Sequence, residues 1–195
     1  MIMLTSEIEL RECLREAMQR VLDPDLEYSN TPSAAVLIPL FTYPRVKLIM
    51  IMRSKNLRRS AGHIAFPGGI RESDENPKDT ALREAEEELG LPTPNVDILG
   101  FLSPREVIEH RIKIHPVVGL VESFEIRTNF EVRKVLIDDF IKVLKSRRIT
   151  DWGPNYECQG ELVWGASSRI LDDLYLRIVR EFGSIENFEE TIYRI

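Results

Sequence analysis

Cysteine, histidine and tryptophan are scarce in this chain of 195 residues, at two, three and two copies. Cys13 and Cys158 cannot build a disulfide framework, and neither sits in a C-x-x-C pair or a Cys/His cluster. Two ordinary thiols in a reducing compartment are expected. No apolar run approaches the roughly 18 residues that a membrane span needs. The opening residues, Met-Ile-Met-Leu-Thr-Ser-Glu, carry no basic stretch ahead of an apolar core. A soluble, cytoplasmic protein without a membrane partner follows as the expectation. Positive charge is also in deficit: 26 Lys and Arg stand against 32 Asp and Glu, a net charge of −6. Nucleic acid is a poor partner for such a chain, because counterion displacement needs a cationic surface. An anionic small molecule stays open if basic groups cluster or a metal supplies charge.

What the chain does have is a globular balance, 43% hydrophobic and 30% charged, in a length suited to one domain over 1–195. Ser6-x-x-Glu9 resembles a capping box, and Leu10, Leu14, Ala17, Met18 and Val21 recur behind it at helical spacing. An N-terminal helical segment within 1–26 should therefore stop near Asp23-Pro24. Apolar runs over 34–41 and 46–52 are of strand length, with Tyr43-Pro44 as the turn between them. A second helix is capped by Asn76, starts on Pro77 and stops at Gly90. Further strands are predicted over 96–102, 112–121 and 161–164. Leu136, Ile137, Phe140, Ile141 and Leu144 suggest a helix, and Ile170, Leu171, Leu174, Ile178 and Phe182 a last one. Strands and helices mixed without regular alternation point to an α/β sandwich with a mixed sheet.

The second helix carries the chemistry. Ala81, Leu82, Ala85 and Leu89 share one face at about 100° per residue, and Glu84, Glu87 and Glu88 fall beside it at i, i+3 and i+4. Like charges so spaced repel, and partial burial worsens the conflict. A hard divalent cation, Mg²⁺ or Mn²⁺, would remove it. An isolated E-x-x-E-E is more often a solvated acidic face, but two features of the surroundings weigh against that reading. Gly68-Gly69 upstream permits a bend that can aim a carbonyl at the same metal, and Arg83 can pair with one carboxylate and orient the others.

Gly69, Glu75 and the run Arg83-Glu84-Ala85-Glu86-Glu87-Glu88-Leu89-Gly90-Leu91 match in spacing the box of the Nudix hydrolases, which this chain therefore resembles over 69–91. Before it, Arg53-Ser54, Arg58, Gly62, Ile64 and Phe66-Pro67-Gly68-Gly69 look like the second signature of the coenzyme A pyrophosphatase branch. Pro116-Val117-Val118-Gly119 and Trp164-Gly165-Ala166 resemble that branch too, so the likeness runs over about 48–171. Two departures bear on substrate choice: Ile51 stands where the branch usually has threonine, and 106–113 is more charged than the branch. The resemblance implies a Nudix-type α/β/α sandwich with a mixed β-sheet and a catalytic loop-helix-loop. It implies Mg²⁺-dependent attack of water on a nucleoside diphosphate linked to another moiety, with Mn²⁺ as a substitute ion. Glu84, Glu87 and Glu88 would be catalytic and hold the metal with the Gly69 carbonyl, while Glu75, Arg83 and Gly90 would be structural. On coenzyme A the products would be 3′,5′-ADP and 4′-phosphopantetheine, or acyl-phosphopantetheine from an acyl ester.

Arg53, Lys55, Arg58 and Arg59 lie between a strand and the glycine pair. Guanidinium forks match phosphate oxygens, so Arg53 and Arg58 are the substrate-binding candidates, against a solvated basic loop. Glu84 is the expected base, with Glu157 and Glu161 as remote candidates. His63, Trp152, Tyr156 and Trp164 could touch substrate, but structural packing is the commoner role of each type, as it is for Phe66-Pro67. The N-terminal helix can pack on its own domain or on a second copy as a homodimer. The leading function is hydrolysis of coenzyme A or a derivative. Another nucleoside diphosphate derivative (ADP-ribose, a dinucleotide, a nucleoside triphosphate) or a Nudix-fold sensor without turnover are the alternatives. Three retained, crowded carboxylates speak against the sensor.

Overall fold

The computed structural model describes residues 6–42, 44–57, 60–107 and 112–193. Helix α1 (Glu7–Gln19) opens on the expected capping box: the Ser6 N–H donates to Glu9 Oε2 at 2.9 Å and the Glu9 N–H returns to Ser6 Oγ at 3.3 Å. It stops before Asp23-Pro24. The Asp23 and Phe101 main chains exchange two hydrogen bonds, at 3.0 and 2.9 Å, and draw the chain off the helix axis. Strands β1 (Ser33–Phe41) and β2 (Lys47–Arg53) follow, then the short β3 (Ile64–Ala65) and β4 (Gly68–Ile70), and helix α2 (Pro77–Leu89). After these come β5 (Val96–Phe101), β6 (Arg105–Val107), β7 (Ile112–Val121), β8 (Val132–Asp139), α3 (Phe140–Lys145), β9 (Arg148–Thr150), β10 (Gly153–Cys158) and β11 (Glu161–Val163). Helices α4 (Ala166–Phe182) and α5 (Ile185–Tyr193) close the described chain.

The main sheet is mixed. β1 runs parallel to β7 from Ser33↔Lys113 to Leu40↔Leu120, while β5 and β6 pair antiparallel with β7 and β8 with β2. β1 and β2 meet antiparallel at Leu40↔Leu48, which is the predicted hairpin; Tyr43 at its turn lies outside the described residues. Period two sorts the strand side chains into layers. Ala35, Leu37, Ile49, Ile51 and Val117 pack with Ala81, Ala85 and Leu89 of α2. Ile38, Leu40, Leu48, Met50 and Val118 face the other way, onto Leu14 of α1, Leu171 of α4 and Phe188 of α5. The result is the expected α/β/α sandwich. Leu10, Leu14, Ala17 and Met18 of α1 are buried in their own chain, so the apolar face of that helix is already covered. No helix among the described residues is long and apolar enough to cross a membrane.

One expectation is corrected. Leu136 and Ile137 belong to strand β8, because β2 pairs with that segment from Val132 to Asp139; the helix begins only at Phe140, where Asp139 Oδ1 accepts the Lys142 N–H at 3.0 Å. A short apolar run fits both periods, and the available sheet edge decided between them. Of the small sheet β9–β10–β11 only β11 was foreseen, and helix α5 was not, since their polar residues mask the period.

Candidate active site

Helix α2 is held at both ends and along one side. Asn76 Oδ1 accepts the Asp79 N–H at 3.0 Å, and Pro77 occupies the first turn. Gly90 ends the helix at φ 70°, ψ 23°, a left-handed conformation that suits glycine, with its N–H directed at the Ala85 and Glu86 carbonyls. Ala81, Ala85 and Leu89 are fully buried. With that stripe fixed on the sheet, Glu84 and Glu88 must come down beside β4.

The glycine pair makes this approach possible. A Cβ on Gly69 would overlap the Glu84 carboxylate, and one on Gly68 would overlap Ala35 and Val36 of β1. The ladder between β1 and β4 divides their peptide groups. Leu37 N–H bonds Pro67 O and Arg71 N–H bonds Ser33 O, each at 2.9 Å, so Ala35↔Gly69 between them is a hydrogen-bonded pair. Gly69 therefore turns its carbonyl towards β1. Gly68 turns its peptide groups the other way, and its N–H donates to Glu88 Oε2 at 2.9 Å.

Arg83 organises the outer carboxylates. Its Nε and Nη2 grip Glu75 at 2.6 and 3.2 Å, Nη1 donates to Glu84 Oε1 at 2.9 Å and Glu87 Oε1 at 3.3 Å, and Nη2 also reaches the Ile70 carbonyl at 3.2 Å. The guanidinium, with help from the Thr80 hydroxyl and the Glu72 N–H, holds the Glu75 carboxyl at about 2. Arg71, which sequence reading passed over, ties the segment before β1 to this loop: it donates to the Glu75 carbonyl at 2.9 Å, to Thr31 O at 3.0 Å and to Ser33 Oγ at 3.2 Å.

The inner carboxylate is different. Glu88 is 1% exposed, and burial raises its carboxyl to about 7 against the pull of the Gly68 N–H and Arg53. Arg53 Nη1 stands 3.5 Å from Glu88 Oε1, and Nη2 stands 3.6 Å from Glu131 Oε2. Glu131 was also missed, for nothing in local spacing marks it; the β2–β8 pairing at Arg53↔Val132 and the Ser54 N–H bond to its carbonyl, at 2.7 Å, bring it beside Arg53. Its charge, with that of Glu88's neighbours, pushes Glu84 and Glu88 upward, and burial is the first cause for Glu84 as well.

Among the described residues no three His, Cys, Asp or Glu side chains converge tightly enough to form a ready metal cage. Arg83 holds Glu84 and Glu87, and the Gly68 N–H holds Glu88. The donor set nevertheless fits a hard cation: two desolvated carboxylates have raised pKa values, and a side-chain-free glycine lies against one of them.

The remaining candidates scatter. Arg58 lies outside the described residues. Ile51 is wholly buried in the α2 layer, and residues 108–111 of the charged segment lie outside the description. Tyr156 is buried and donates to Asp172 at 3.0 Å, and Phe66 is core, so packing is the role of both. Trp152 is 91% exposed between β9 and β10. Glu161 pairs with Lys134 at 3.5 Å, and the Glu157 N–H donates to Ser146 Oγ at 2.8 Å. The His63 and Trp164 rings pack against each other, tilted.

The NUDIX domain family model matches residues 31–135. The Uncharacterized Nudix hydrolase NudL of Pectobacterium atrosepticum is 34% identical over 163 residues, covering 74% of this chain and 82% of that one. Its namesake in Escherichia coli K12 is 32% identical over 170 residues, covering 78% and 85%. A MutT/nudix family protein of Enterococcus faecalis superposes with a TM-score of 0.56 at 13% identity, covering 95% of this chain and 83% of that one. An Ap4A hydrolase of C. elegans gives 0.51 at 13%, covering 77% and 96%. These two likenesses speak for the fold. Family match, relatives and the carboxylate helix seated on its glycine pair agree: this chain belongs to the Nudix hydrolase family.

Proposed function

We propose that the chain hydrolyses the diphosphate linkage of coenzyme A or a derivative, releasing 3′,5′-ADP and 4′-phosphopantetheine or its acyl form. The supporting observation is Arg53. It belongs to the stretch that resembles the coenzyme A branch, and it is stitched to Glu88 of the catalytic helix and to Glu131. Substrate recognition and the carboxylate site thereby share one residue.

Glu84, Glu87 and Glu88 would hold Mg²⁺, or Mn²⁺ in its place. The ladder favours the Gly68 carbonyl over that of Gly69 as the backbone ligand, since Gly69 is paired with Ala35. The bound ion supplies charge neutralisation at the diphosphate and lowers the pKa of a water. The chain's own residues do the rest. Arg83 fixes Glu84 through Oε1 and leaves Oε2 to accept the proton of the attacking water; burial raises that carboxylate and makes it a better acceptor. Glu131 beside Arg53 is a second acceptor and joins Glu157 and Glu161 as an alternative base. Arg53, with Arg58, would orient phosphate oxygens.

A panel of coenzyme A, ADP-ribose, NADH and nucleoside triphosphates with Mg²⁺, products weighed by mass spectrometry, tests the reading. Release of 3′,5′-ADP at the highest kcat/KM supports it. A better substrate elsewhere in the panel moves the specificity, and binding without cleavage makes the protein a sensor.

A further inference from the structure

We propose that Trp164 is the platform on which the nucleobase of the substrate stacks, with His63 as its brace; the diphosphate end of this inference rests on the hydrolase reading above. Trp164 follows β11 and is 49% exposed, although its neighbour Val163 is fully buried. Its ring centroid lies 4.4 Å from that of His63, with the planes inclined by 49°. His63 in turn is bound to the site: its carbonyl accepts the Arg53 N–H at 3.0 Å, and the Gly62 N–H donates to the Arg53 carbonyl at 3.1 Å. Arg53 reaches Glu88 with its side chain. A run of contacts through His63 and Arg53 thus links the indole to the buried carboxylate of α2.

The local chain is shaped to present that ring. Gly165 has φ 71° and ψ −136°, a conformation closed to residues with a side chain, while nothing lies within 4 Å of where its Cβ would be. Glycine is thus required by the bend and not by crowding. The bend passes straight into α4 and leaves Trp164 at the surface. Of the other exposed rings, Tyr28 (47%) lies under the Arg71 guanidinium at 5.7 Å, while Trp152 is 91% and Phe130 82% exposed, and none of the three contacts another ring among the described residues. Trp164 is braced by a neighbouring ring, so it loses less freedom than Trp152 or Phe130 when a flat ligand settles on it.

The ligand that suits this arrangement is a flat, π-rich, uncharged ring joined to an anionic linkage that reaches Arg53 and the α2 carboxylates. A nucleoside diphosphate derivative has that form. Stacking on an aromatic side chain is worth about tenfold or more in affinity and is tolerant of which base is stacked.

The test uses the full-length Trp152→Phe protein, in which Trp164 is the single tryptophan. In metal-free buffer, AMP should quench its fluorescence saturably and ribose 5-phosphate should not. With Mg²⁺, Trp164→Leu should raise KM for the best nucleotide substrate about tenfold or more at unchanged kcat, and Trp164→Phe should recover most of the loss. Absence of quenching by AMP, equal quenching by ribose 5-phosphate, or an unchanged KM in an active Trp164→Leu enzyme overturns the proposal. So does a KM that follows Phe130→Leu instead. If the wild-type protein cleaves no diphosphate, the hydrolase reading fails, and the quenching titration still decides the stacking on its own.

Discussion

Glu75 and Glu88 each face an arginine across the loop and helix of one site, and the two pairs are built in opposite ways. Glu75 meets both arms of the Arg83 fork, at 2.6 and 3.2 Å, with a hydroxyl and an N–H completing its shell. Its charge is over-satisfied, and its carboxyl sits at about 2. Glu88 is more deeply buried, touches Arg53 only at 3.5 Å, and sits at about 7. Short, forked contacts mark a carboxylate that carries the architecture. Burial with too little positive charge marks one held ready for a cation, at a cost to the folded state.

The largest effect that would break this contrast is catalytic. Glu88→Gln and Glu84→Gln keep side-chain shape and remove a metal-binding charge. Each should lower kcat roughly 10²–10³-fold, equivalent to about 3–4 kcal/mol of transition-state stabilisation. The check is kcat at saturating Mg²⁺. Wild-type rates in both variants would make these carboxylates architectural like Glu75.

Next in size is a pH profile with two limbs of opposite origin. Glu88 has a folded pKa raised from 4.5 to about 7, so the folded state favours its protonated form. Its burden is absent below about 4.5 and grows as pH rises towards 7. Glu75 is lowered from 4.5 to about 2; its contribution is present above 4.5 and is lost as pH falls towards 2. Metal-free thermal unfolding between about pH 3 and 8 should therefore be best near 4.5–5 as far as these two groups decide it. Saturating Mg²⁺ should remove the alkaline decline and leave the acid one. An alkaline decline that persists in Glu88→Gln would show that another group causes it.

Breaking the architectural pair comes third. Glu75→Gln removes the closest of the charged partners of Arg83, leaving Glu84 and Glu87, and should cost about 1–3 kcal/mol of stability. Melting temperature and activity should fall together, because Arg83 also positions Glu84 and Glu87. A variant with an unchanged melting point would remove Glu75 from the architecture.

How much of this was legible depends on range. Asn76, Pro77 and Gly90 bound α2 as read, because caps act within a turn of the residue that carries them. The placement of Glu84, Glu87 and Glu88 beside the buried stripe was equally readable, since helical geometry alone sets it. Which of Gly68 and Gly69 turns its carbonyl towards β1 was not, for it depends on the parity of the pairing between β4 and β1, a partner more than thirty residues away in sequence. Glu131 and Arg71 were invisible for the same reason: each matters only through a contact with a distant segment. The β8–α3 boundary failed on ambiguous period. The basic segment was half answered, with Arg53 drawn into the site and Arg58 outside the described residues.

The smallest effect sharpens the comparison most, because it is made on a single helix. Glu87 lies one residue from Glu88, yet its side chain is 54% exposed and its ion pair with Arg83 is 3.3 Å long. An exposed pair of this kind contributes little, and Glu84 three residues earlier repels the same charge. Glu87→Gln should therefore leave metal-free stability within about 0.5 kcal/mol of wild type, in either direction. Its activity should still fall if the carboxylate reaches the ion during turnover. Thermal unfolding without metal, set beside kcat and the Mg²⁺ concentration for half-maximal rate, separates the two. A higher Mg²⁺ requirement at level stability places Glu87 with Glu88 as a ligand. Unchanged values of all three would make it part of a solvated acidic face, leaving Glu84 and Glu88 to carry the site.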